Sequence, residues 1–362
     1  MIGRLHHIAR VACAALAGAA ALTALPAAAQ DGALDGVAEE MAAQAQAIIA
    51  AAEGPNPIAN LQGVNPPEVL RHGLDSVERT DWSYWPRSRE GWPLGRMNAR
   101  QRMAVQEMLT TLLSARGYLQ VSAIMSLEPV LAAIETVGFM RGEEYYWLTI
   151  YGDPAADSAW GWSFEGHHIS LNVTVTPEGI SATPSFFGSN PMVIQTGSRA
   201  GFEALRYERM AGFALLDSLD EGQRAQAIIS DAAPNDILSG SLNAPDPDAW
   251  KETLDEAGVA AADMSDAQRA LLSDLIEQVL GRYRPEIANA ARAAMELDSL
   301  SFAWMGPAEV GAPYYFRITG GDFVYEFDAA QDNGNHAHTV WRDKSDDFGA
   351  TILARHYAGG GH

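Results

Sequence analysis

The strongest constraint on the fold of this chain is that it repeats its own order of segments. An apolar helical pattern begins after residues 101–102 (QR), and a similar one begins after residues 268–269 (QR), a shift of 167 (268 − 101). Residues 145–150 (YYWLTI) resemble residues 314–319 (YYFRIT) at a shift of 169 (314 − 145). Because these matches keep one order at nearly one shift, we predict an internal duplication.

The duplication and the alternating helical and strand patterns predict an α+β (or α/β) fold. Its two helix-plus-sheet lobes, at about residues 95–240 and 262–357, are expected to be related by a pseudo-twofold. Neither half has a long flexible linker, so we expect the lobes to pack as one unit. The shift of 169 also takes His167 to His336 (336 − 167), which predicts equivalent positions for these two histidines.

Helical and strand periodicities occur in separate blocks along the chain. The predicted helical blocks are residues 32–52, 98–135, 200–229 and 265–296, and the predicted strand blocks are residues 144–185 and 313–338. Residues 30–66 are interpreted as a helical N-terminal segment and linker ahead of a main domain at 67–362. The Pro- and Asp-rich residues 243–248 predict a loop.

The first 29 residues predict export. The first ten residues form a short segment that carries Arg4 and Arg10. An apolar run covers residues 11–26, and residues 27–29 (AAA) offer a small-residue cleavage site. This is the layout of a secretory signal peptide. The mature protein is therefore expected in the periplasm or outside the cell, after cleavage near Ala29. Cys13 is the only cysteine and leaves with the signal, which excludes disulfides and thiolate ligands.

The strongly acidic composition limits the partners of the mature chain. The sequence has 46 Asp and Glu against 24 Lys and Arg, a formal net charge of −22. Such a field repels nucleic-acid phosphates and anionic lipid surfaces. No run of about 18 apolar residues follows the signal, so no membrane span is expected in the mature chain. The expected partner is a small-molecule substrate or ligand, and the oligomeric state is left open.

The first of two histidine segments is WGWSFEGHHISLN at residues 160–172. Apolar and polar residues alternate after the histidines, which predicts a strand. Alternate residues of a strand share a face. Glu165 and His167 are therefore expected to point one way and His168 the other.

The second segment is NHAHTVWRD at residues 335–343, where His336 and His338 share a face in the same manner. Two imidazoles on a stiff strand are a common way to chelate one metal ion, because histidine is the commonest metal ligand. The alternative is a pair of exposed or hydrogen-bonded histidines without a metal.

If the duplication places the two strands side by side, their side chains form one cluster. The predicted metal ligands are His167, His336 and His338, with Glu165 as a fourth ligand or as a catalytic general base. Such a set suits zinc, copper, iron or manganese, and an open coordination position makes the site catalytic. His168 replaces His167 if a bulge at Gly166 re-aims the strand.

Other residues are candidates for substrate contacts or for orienting the ligands. They are Trp162, Arg342, Asp343 and His356. Arg342 and Asp343 are expected to form an ion pair that orients the HxH strand, or to supply a cation for an anionic substrate. His356 is expected on a C-terminal helix that docks over the site. The aromatic and basic segment 82–89 is better explained by packing under a loop than by a substrate mouth.

Motifs of several other reaction classes are absent from the sequence. It has no G-x-S-x-G elbow, no P-loop and no G-x-G-x-x-G after a strand. A Ser-His-Asp arrangement stays open, because its members need not be close in sequence.

The order of these motifs resembles the DUF3500 family of uncharacterised proteins. The resemblance covers about residues 71–357 and is most specific at residues 160–172 and 335–343. It implies an exported protein with GHH and NHxHT segments, and it supplies no activity or catalytic set.

The residues therefore support three hypotheses. The first is a metal-dependent enzyme of the cell envelope, with hydrolysis favoured over copper or iron oxidation. The second is a non-catalytic protein that binds a metal or a small ligand. The third is a structural protein whose histidines only join the two halves. An open coordination position beside a carboxylate favours the first hypothesis, and complete coordination without a cleft favours the second.

Overall fold

The structure is a computed structural model that describes residues 27–55, 63, 65–135, 138–155, 157–240, 250–254 and 257–360. Most of the predicted signal peptide, with Cys13, and the predicted loop at residues 243–248 lie outside the described residues. The predicted cleavage site at Ala29 falls in the first turn of the first helix.

Helices and strands follow one another in blocks close to the predicted ones. The α-helices are α1 (Ala27–Glu53), α2 (Pro66–Leu70), α3 (Ala99–Leu112), α4 (Ala115–Met125), α5 (Glu128–Ile134), α6 (Arg206–Ser218), α7 (Glu221–Ala227), α8 (Trp250–Thr253), α9 (Asp266–Leu280), α10 (Pro285–Ala293) and α11 (Ala350–Ala358). The strands are β1 (Arg71–His72), β2 (Trp92–Pro93), β3 (Tyr146–Gly152), β4 (Trp160–Gly166), β5 (Ile169–Thr176), β6 (Gly179–Ser181), β7 (Ser185–Ser189), β8 (Ile228–Ser230), β9 (Val259–Ala260), β10 (Ser301–Met305), β11 (Tyr314–Gly320), β12 (Phe323–Gln331) and β13 (His336–Asp343). This mixture confirms the predicted α+β class. The sequence missed β10, and β13 continues five residues beyond the predicted end of its block (343 − 338).

Capping residues fix the starts of the two long helices that carry the sequence repeat. Asn98 and Gln101 form a capping box at the start of α3, and Ser265 and Gln268 form one at the start of α9. Each box satisfies backbone N–H groups that a helix start leaves without partners. Gln101 also donates to the backbone oxygen of Ala51 in α1 at 2.9 Å.

The strands of the described residues form one mixed sheet. Its main order is β1-β3-β4-β5-β7-β13-β12-β11-β10-β8, with β2, β6 and β9 paired to β3, β5 and β10. The pairs along the centre are antiparallel, while the short strands β1 and β8 add to the two edges in parallel. The segments containing the four motif histidines therefore meet near the middle of the sheet.

The two faces of the sheet have different covers. One face carries Leu148, Phe164 and Leu171, and it packs in a single core cluster with the long helices. The opposite face carries His338 and Phe186 at the centre, and segments near residues 82–84 and 237 cover it. His338 thus faces away from the core cluster, on the side that the segments near residues 82–84 and 237 cover.

Helix α1 is part of the core of the domain. Val37, Met41, Ala45 and Ile48 are each at most 1% exposed, and α1 lies against α3 and α10. Helix α1, which holds most of the predicted N-terminal segment, therefore packs in the same core as the predicted main domain, and the division between them stays a prediction. The most apolar helical stretch, residues 115–134, would be long enough to cross a membrane by length and composition. It is divided here between α4 and α5, which contribute buried residues to the same fold.

β7 and β13 are antiparallel neighbours at the middle of the strand order. β5, β4 and β3 follow on one side of this pair, and β12, β11 and β10 follow on the other. This order sets β4 against β11 and β5 against β12, whereas the sequence repeat had set β3 against β11. This strand order alone does not pair His167 with His336, so their equivalence stays a prediction. The duplication itself stays a prediction.

Candidate metal centre

His167 and His168 form the turn between β4 and β5, where the sequence had predicted a continuous strand. His168 adopts the left-handed conformation with φ 66°, which non-glycine residues rarely do but histidine tolerates better than most. The backbone N–H of His168 donates to Tyr84 at 3.1 Å, and its oxygen accepts from Gly188 at 2.7 Å. The turn makes the two histidine rings neighbours, 3.7 Å apart between centroids, instead of placing them on opposite faces.

His336 and His338 begin β13 and share a face, as the HxH spacing predicted. Their ring centroids are 4.5 Å apart, and that of His168 lies 4.9 Å from His336 and 5.4 Å from His338. Gly188 on β7 lies beneath the rings, because a Cβ there would come within 2.7 Å of His168 Cδ2 and 3.1 Å of His338 Cδ2. A glycine at this position is what lets the imidazoles converge.

The nitrogen atoms of these three rings point at one another. Nε2 of His168 lies 2.8 Å from Nε2 of His336, and one ligand atom from each of the three residues lies within 4.8 Å of the others. Imidazole nitrogens bind zinc at about 2.0–2.1 Å, so only small adjustments bring all three onto one ion. His168, His336 and His338 could therefore hold a metal ion.

The outer nitrogens of the HxH pair have partners that orient the rings. Nδ1 of His338 lies 2.7 Å from a carboxylate oxygen of Asp236, and Nδ1 of His336 lies 3.2 Å from the side-chain amide of Asn190. Both contacts leave Nε2 directed toward the cluster. A carboxylate behind a histidine is the usual means of fixing a metal-binding tautomer.

Burial favours the neutral form of three imidazoles, those of His167, His168 and His336. It lowers the pKa of His167 and His168 well below the ordinary value, and it lowers the pKa of His336 to about 2. The positive charge of Arg141 lowers these pKa values further. Neutral imidazole is the form that binds a metal ion.

The comparison with known protein families gives a match over most of the chain. The family model described as a protein of unknown function, DUF3500, matches residues 41–350. The chain belongs to the DUF3500 family. The match begins inside α1 and includes all four histidines of the site, so the DUF3500 region and the packed fold coincide. No curated protein and no solved structure matches the chain.

A buried carboxylate pairs with the remaining histidine of this DUF3500 protein. Glu128, at the start of α5, lies 2.6 Å from Nδ1 of His167 and is 1% exposed. Arg141 lies 3.3 Å from the same nitrogen and is paired with Glu135. Burial raises the pKa of Glu128 to about 8, while the charge of Arg141 opposes the shift. Glu128, His167 and His168 form a second group of atoms that could hold a metal.

A third group lies on the other side of the HxH pair. It comprises Asp236, Asp328 and His338. Asp236 also accepts a hydrogen bond from the Tyr84 hydroxyl at 3.2 Å. Burial raises the pKa of Asp328 to about 8, and the nearby charge of Asp236 contributes to the same effect.

Glu165, the predicted base or fourth ligand, lies outside all three groups. Its carboxylate accepts hydrogen bonds from Ser170 at 2.6 Å and from the backbone of Ser83 at 3.3 Å. Arg89 lies 4.0 Å away as its ionic partner. The carboxylates beside the histidines come instead from Glu128, Asp236 and Asp328. No motif marks these three, because they come from separate segments of the chain.

The other predicted contact residues also lie away from the histidines. Trp162 is buried in the core on the helical face of the sheet. Arg342 bonds to Asp347 at 2.7 Å, instead of to Asp343, and its guanidinium lies 3.9 Å from the centroid of Trp250. Asp343 accepts hydrogen bonds from the turn after β13.

His356 lies on α11, as predicted, but it pairs with Glu178 at 3.1 Å and forms no part of the cluster. The segment 82–89 covers the outer face as packing, with Trp82 and Tyr84 buried. Tyr84 nevertheless contributes to the site, since its ring lies 5.0 Å from that of His338.

A cleft of about 890 Å³ is lined in part by residues that are sequence neighbours of Glu128 and His336. Pro129 and Val130 of α5 form one wall, and Pro191 and Asn335 contribute to the other. Glu128 precedes Pro129 in the chain, and Asn335 precedes His336. The His336 side chain is 12% exposed, more than the other two imidazoles of the cluster.

Proposed function

We propose that this protein is a metal-dependent hydrolase that acts in the periplasm or outside the cell. The metal is held by His168, His336 and His338, and zinc is the ion that such a set suits best. The observation that carries the proposal is the convergence of three imidazoles, with Nε2 of His168 and His336 only 2.8 Å apart. The signal peptide predicted for residues 1–29 supports the location.

The ligand set favours catalysis over a purely structural metal. Three protein nitrogens leave one position of a tetrahedral ion for water or substrate, as in catalytic zinc sites. A zinc ion held there supplies Lewis-acid activation at neutral pH. The protein itself contributes the Asp236 carboxylate, which orients His338 through a 2.7 Å contact.

The Glu128–His167 pair supplies a proton-handling group beside the ligands. The rings of His167 and His168 are in contact, and Glu128 Oε1 is 2.6 Å from Nδ1 of His167. A proton shared between this carboxyl and imidazole can be delivered toward the cluster through the ring. This pair takes the part that the sequence had assigned to Glu165.

The cleft beside α5 supplies the access route in this proposal. Substrates reach the cluster along the apolar wall of Pro129 and Val130 and arrive at His336, whose side chain is the most exposed of the three ligands. The acidic net charge of −22 favours neutral or cationic substrates over polyanions.

A second candidate function is metal binding without turnover, and the burial of the site supports it. His168 and His338 are only 2% and 3% exposed. A closed site of this kind holds an ion tightly and gives a substrate little room. The two functions share the same ligands and differ in whether hydrolysis occurs.

The test is hydrolysis by the zinc-loaded protein, made without a His-tag, against chromogenic esters, phosphoesters and peptides. We expect turnover that chelation removes and added zinc restores. His336→Ala should abolish it, while His356→Ala, which alters a buried histidine outside the cluster, should retain it. Zinc bound by the parent without turnover of any substrate class would select the binding function. Turnover that survives in His336→Ala would contradict the proposed site.

A further inference from the structure

Asp328 lies on β12 directly opposite His338 of β13, in the register of the two strands. It is fully buried, and neither of its carboxylate oxygens accepts a hydrogen bond of ordinary geometry. An ionised carboxylate in such a place is strongly disfavoured unless an opposite charge compensates it. The charged groups that act on it most strongly, Asp236 and Glu326, are themselves acidic.

Asp236 brings a second carboxylate to the same place from the loop after β8. One of its oxygens lies 2.7 Å from Nδ1 of His338, and the other accepts from Tyr84. One ligand atom each from Asp236, Asp328 and His338 lies within 4.8 Å of the others. Two carboxylates and an imidazole nitrogen therefore surround one small volume.

We propose that Asp236 and Asp328 hold a second divalent cation, with Nδ1 of His338 as the third ligand. Two carboxylates balance the charge of one divalent ion, and this ligand set suits zinc or manganese. Ligands bind as deprotonated groups, so Nδ1 of His338 loses its proton to solvent when the ion enters. His338 then faces one ion with each ring nitrogen.

The second cation goes beyond the proposed hydrolase and shares only His338 with it. The competing explanation is a proton in place of the cation, held between the two carboxyl groups. The two explanations differ in one respect that can be measured. A neutral amide replaces a protonated carboxyl without loss, but it cannot replace a ligand that binds by its charge.

The experiment is equilibrium dialysis of the purified full chain against zinc, and in parallel against manganese, followed by elemental mass spectrometry. The parent is compared with Asp328→Asn, with Asp236→Asn and with His336→Ala. Glu165→Gln is the matched control, since it alters a buried carboxylate on the same face that lies outside the groups. Asp236 is in a loop and 11% exposed in its side chain, so its variant keeps the test available if Asp328→Asn does not fold.

We expect two ions per chain in the parent and in Glu165→Gln, and one ion in either aspartate variant. We also expect one ion in His336→Ala, because that variant spares Asp236 and Asp328. One ion in the parent that survives both aspartate variants and disappears in His336→Ala would overturn the second site and leave the first. One ion that survives His336→Ala and disappears in the aspartate variants would support the second site and overturn the first. No ion in the parent would overturn both.

Discussion

Gly188 lies between the rings of His168 and His338 at the centre of the sheet. Its position is crowded in a specific way, because an added Cβ meets the two imidazoles at 2.7 and 3.1 Å. Neither ring can move far, since His168 is fixed by backbone bonds to Tyr84 and Gly188 and His338 is held by Asp236. The geometry of the cluster therefore depends on the absence of a side chain at this one residue.

Gly188→Ala should weaken metal binding while the fold is kept. The added methyl separates the His168 and His338 rings, so we expect the dissociation constant for zinc to rise by about tenfold or more, equivalent to about 1.4 kcal/mol. Competition with a chromogenic chelator measures it. Gly36→Ala, where a Cβ has no neighbour within 4 Å, is the control. Equal affinities in the two variants would show that Gly188 does not set the ligand spacing.

Glu128→Gln should change how stability depends on pH in the metal-free protein. The folded state raises the pKa of Glu128 to about 8, above its ordinary value of 4.5, so its protonated form is favoured on folding. Glu128 therefore stabilises the folded state most at low pH. The free energy of unfolding falls between pH 4.5 and 8 by up to about 1.4 kcal/mol per pH unit.

The glutamine variant cannot ionise and lacks this loss. Thermal melts of parent and variant at pH 5, 6.5 and 8 should show a difference in melting temperature that shifts in favour of the variant as pH rises. A constant difference across that range would show that Glu128 titrates at its ordinary pKa.

The β4–β5 turn is the element that sequence reasoning misjudged. Alternating apolar residues correctly predicted the strands on either side, but GHH lacks the Asn-Gly or Asp-Gly pair that usually marks a two-residue turn. The prediction therefore continued the strand through His167 and His168. In contrast, S-x-x-Q and N-x-x-Q patterns at Ser265 and Asn98 mark the starts of α9 and α3, because capping is a local interaction.

His168 has two separable tasks, one in the turn and one in the cluster. We expect both His168→Gly and His168→Ala to lose metal binding, because both remove the imidazole. Glycine adopts φ 66° without strain, whereas alanine pays roughly 1–2 kcal/mol for the left-handed conformation. His168→Gly should therefore unfold at a higher temperature than His168→Ala by differential scanning fluorimetry. Metal retention in either variant would show that His168 is not a ligand.

The candidate site was predictable only in part, because local motifs are visible in the sequence whereas contacts made by long-range packing are not. Histidines at close sequence spacing are visible in the GHH and HxH motifs, so His336 and His338 could be named from the sequence, with His167 as the expected third ligand and His168 as its replacement. Their carboxylate partners could not, because Glu128, Asp236 and Asp328 approach them only through the packing of α5, a loop and β12. Glu165 was chosen for its nearness in sequence, and its strand position directs it to Ser170 instead.

Two pairs of helices, α3 with α1 and α9 with α6, share one kind of contact, although the duplication stays a prediction. Gln101 of α3 donates to the oxygen of Ala51 in α1, and Gln268 of α9 donates to the oxygen of Ser218 in α6. Both pairs are related by the same shift of 167 (268 − 101 and 218 − 51). In this correspondence α1 matches α6, and the predicted boundary of the first half near residue 95 stays a prediction.

Helix α1 should consequently be required for the stability of the whole domain. Met41 and Ile48 are at most 1% exposed in the shared core, so we expect Met41→Ala and Ile48→Ala each to lower the free energy of unfolding by about 2–5 kcal/mol. Urea denaturation measures the change. Glu39→Ala, an exposed position on the same helix, should have little effect. Equal and small effects at all three positions would mean that α1 is an appendage.

The central claim is that His168, His336 and His338 hold a metal ion. Elemental mass spectrometry of the tag-free protein, purified from its native compartment, tests it. We expect at least one transition-metal ion per chain, one ion fewer in His336→Ala, and no loss in His356→Ala. A parent that contains no metal, even after incubation with zinc, copper, iron or manganese, would contradict the account, and so would a metal content that His336→Ala leaves unchanged.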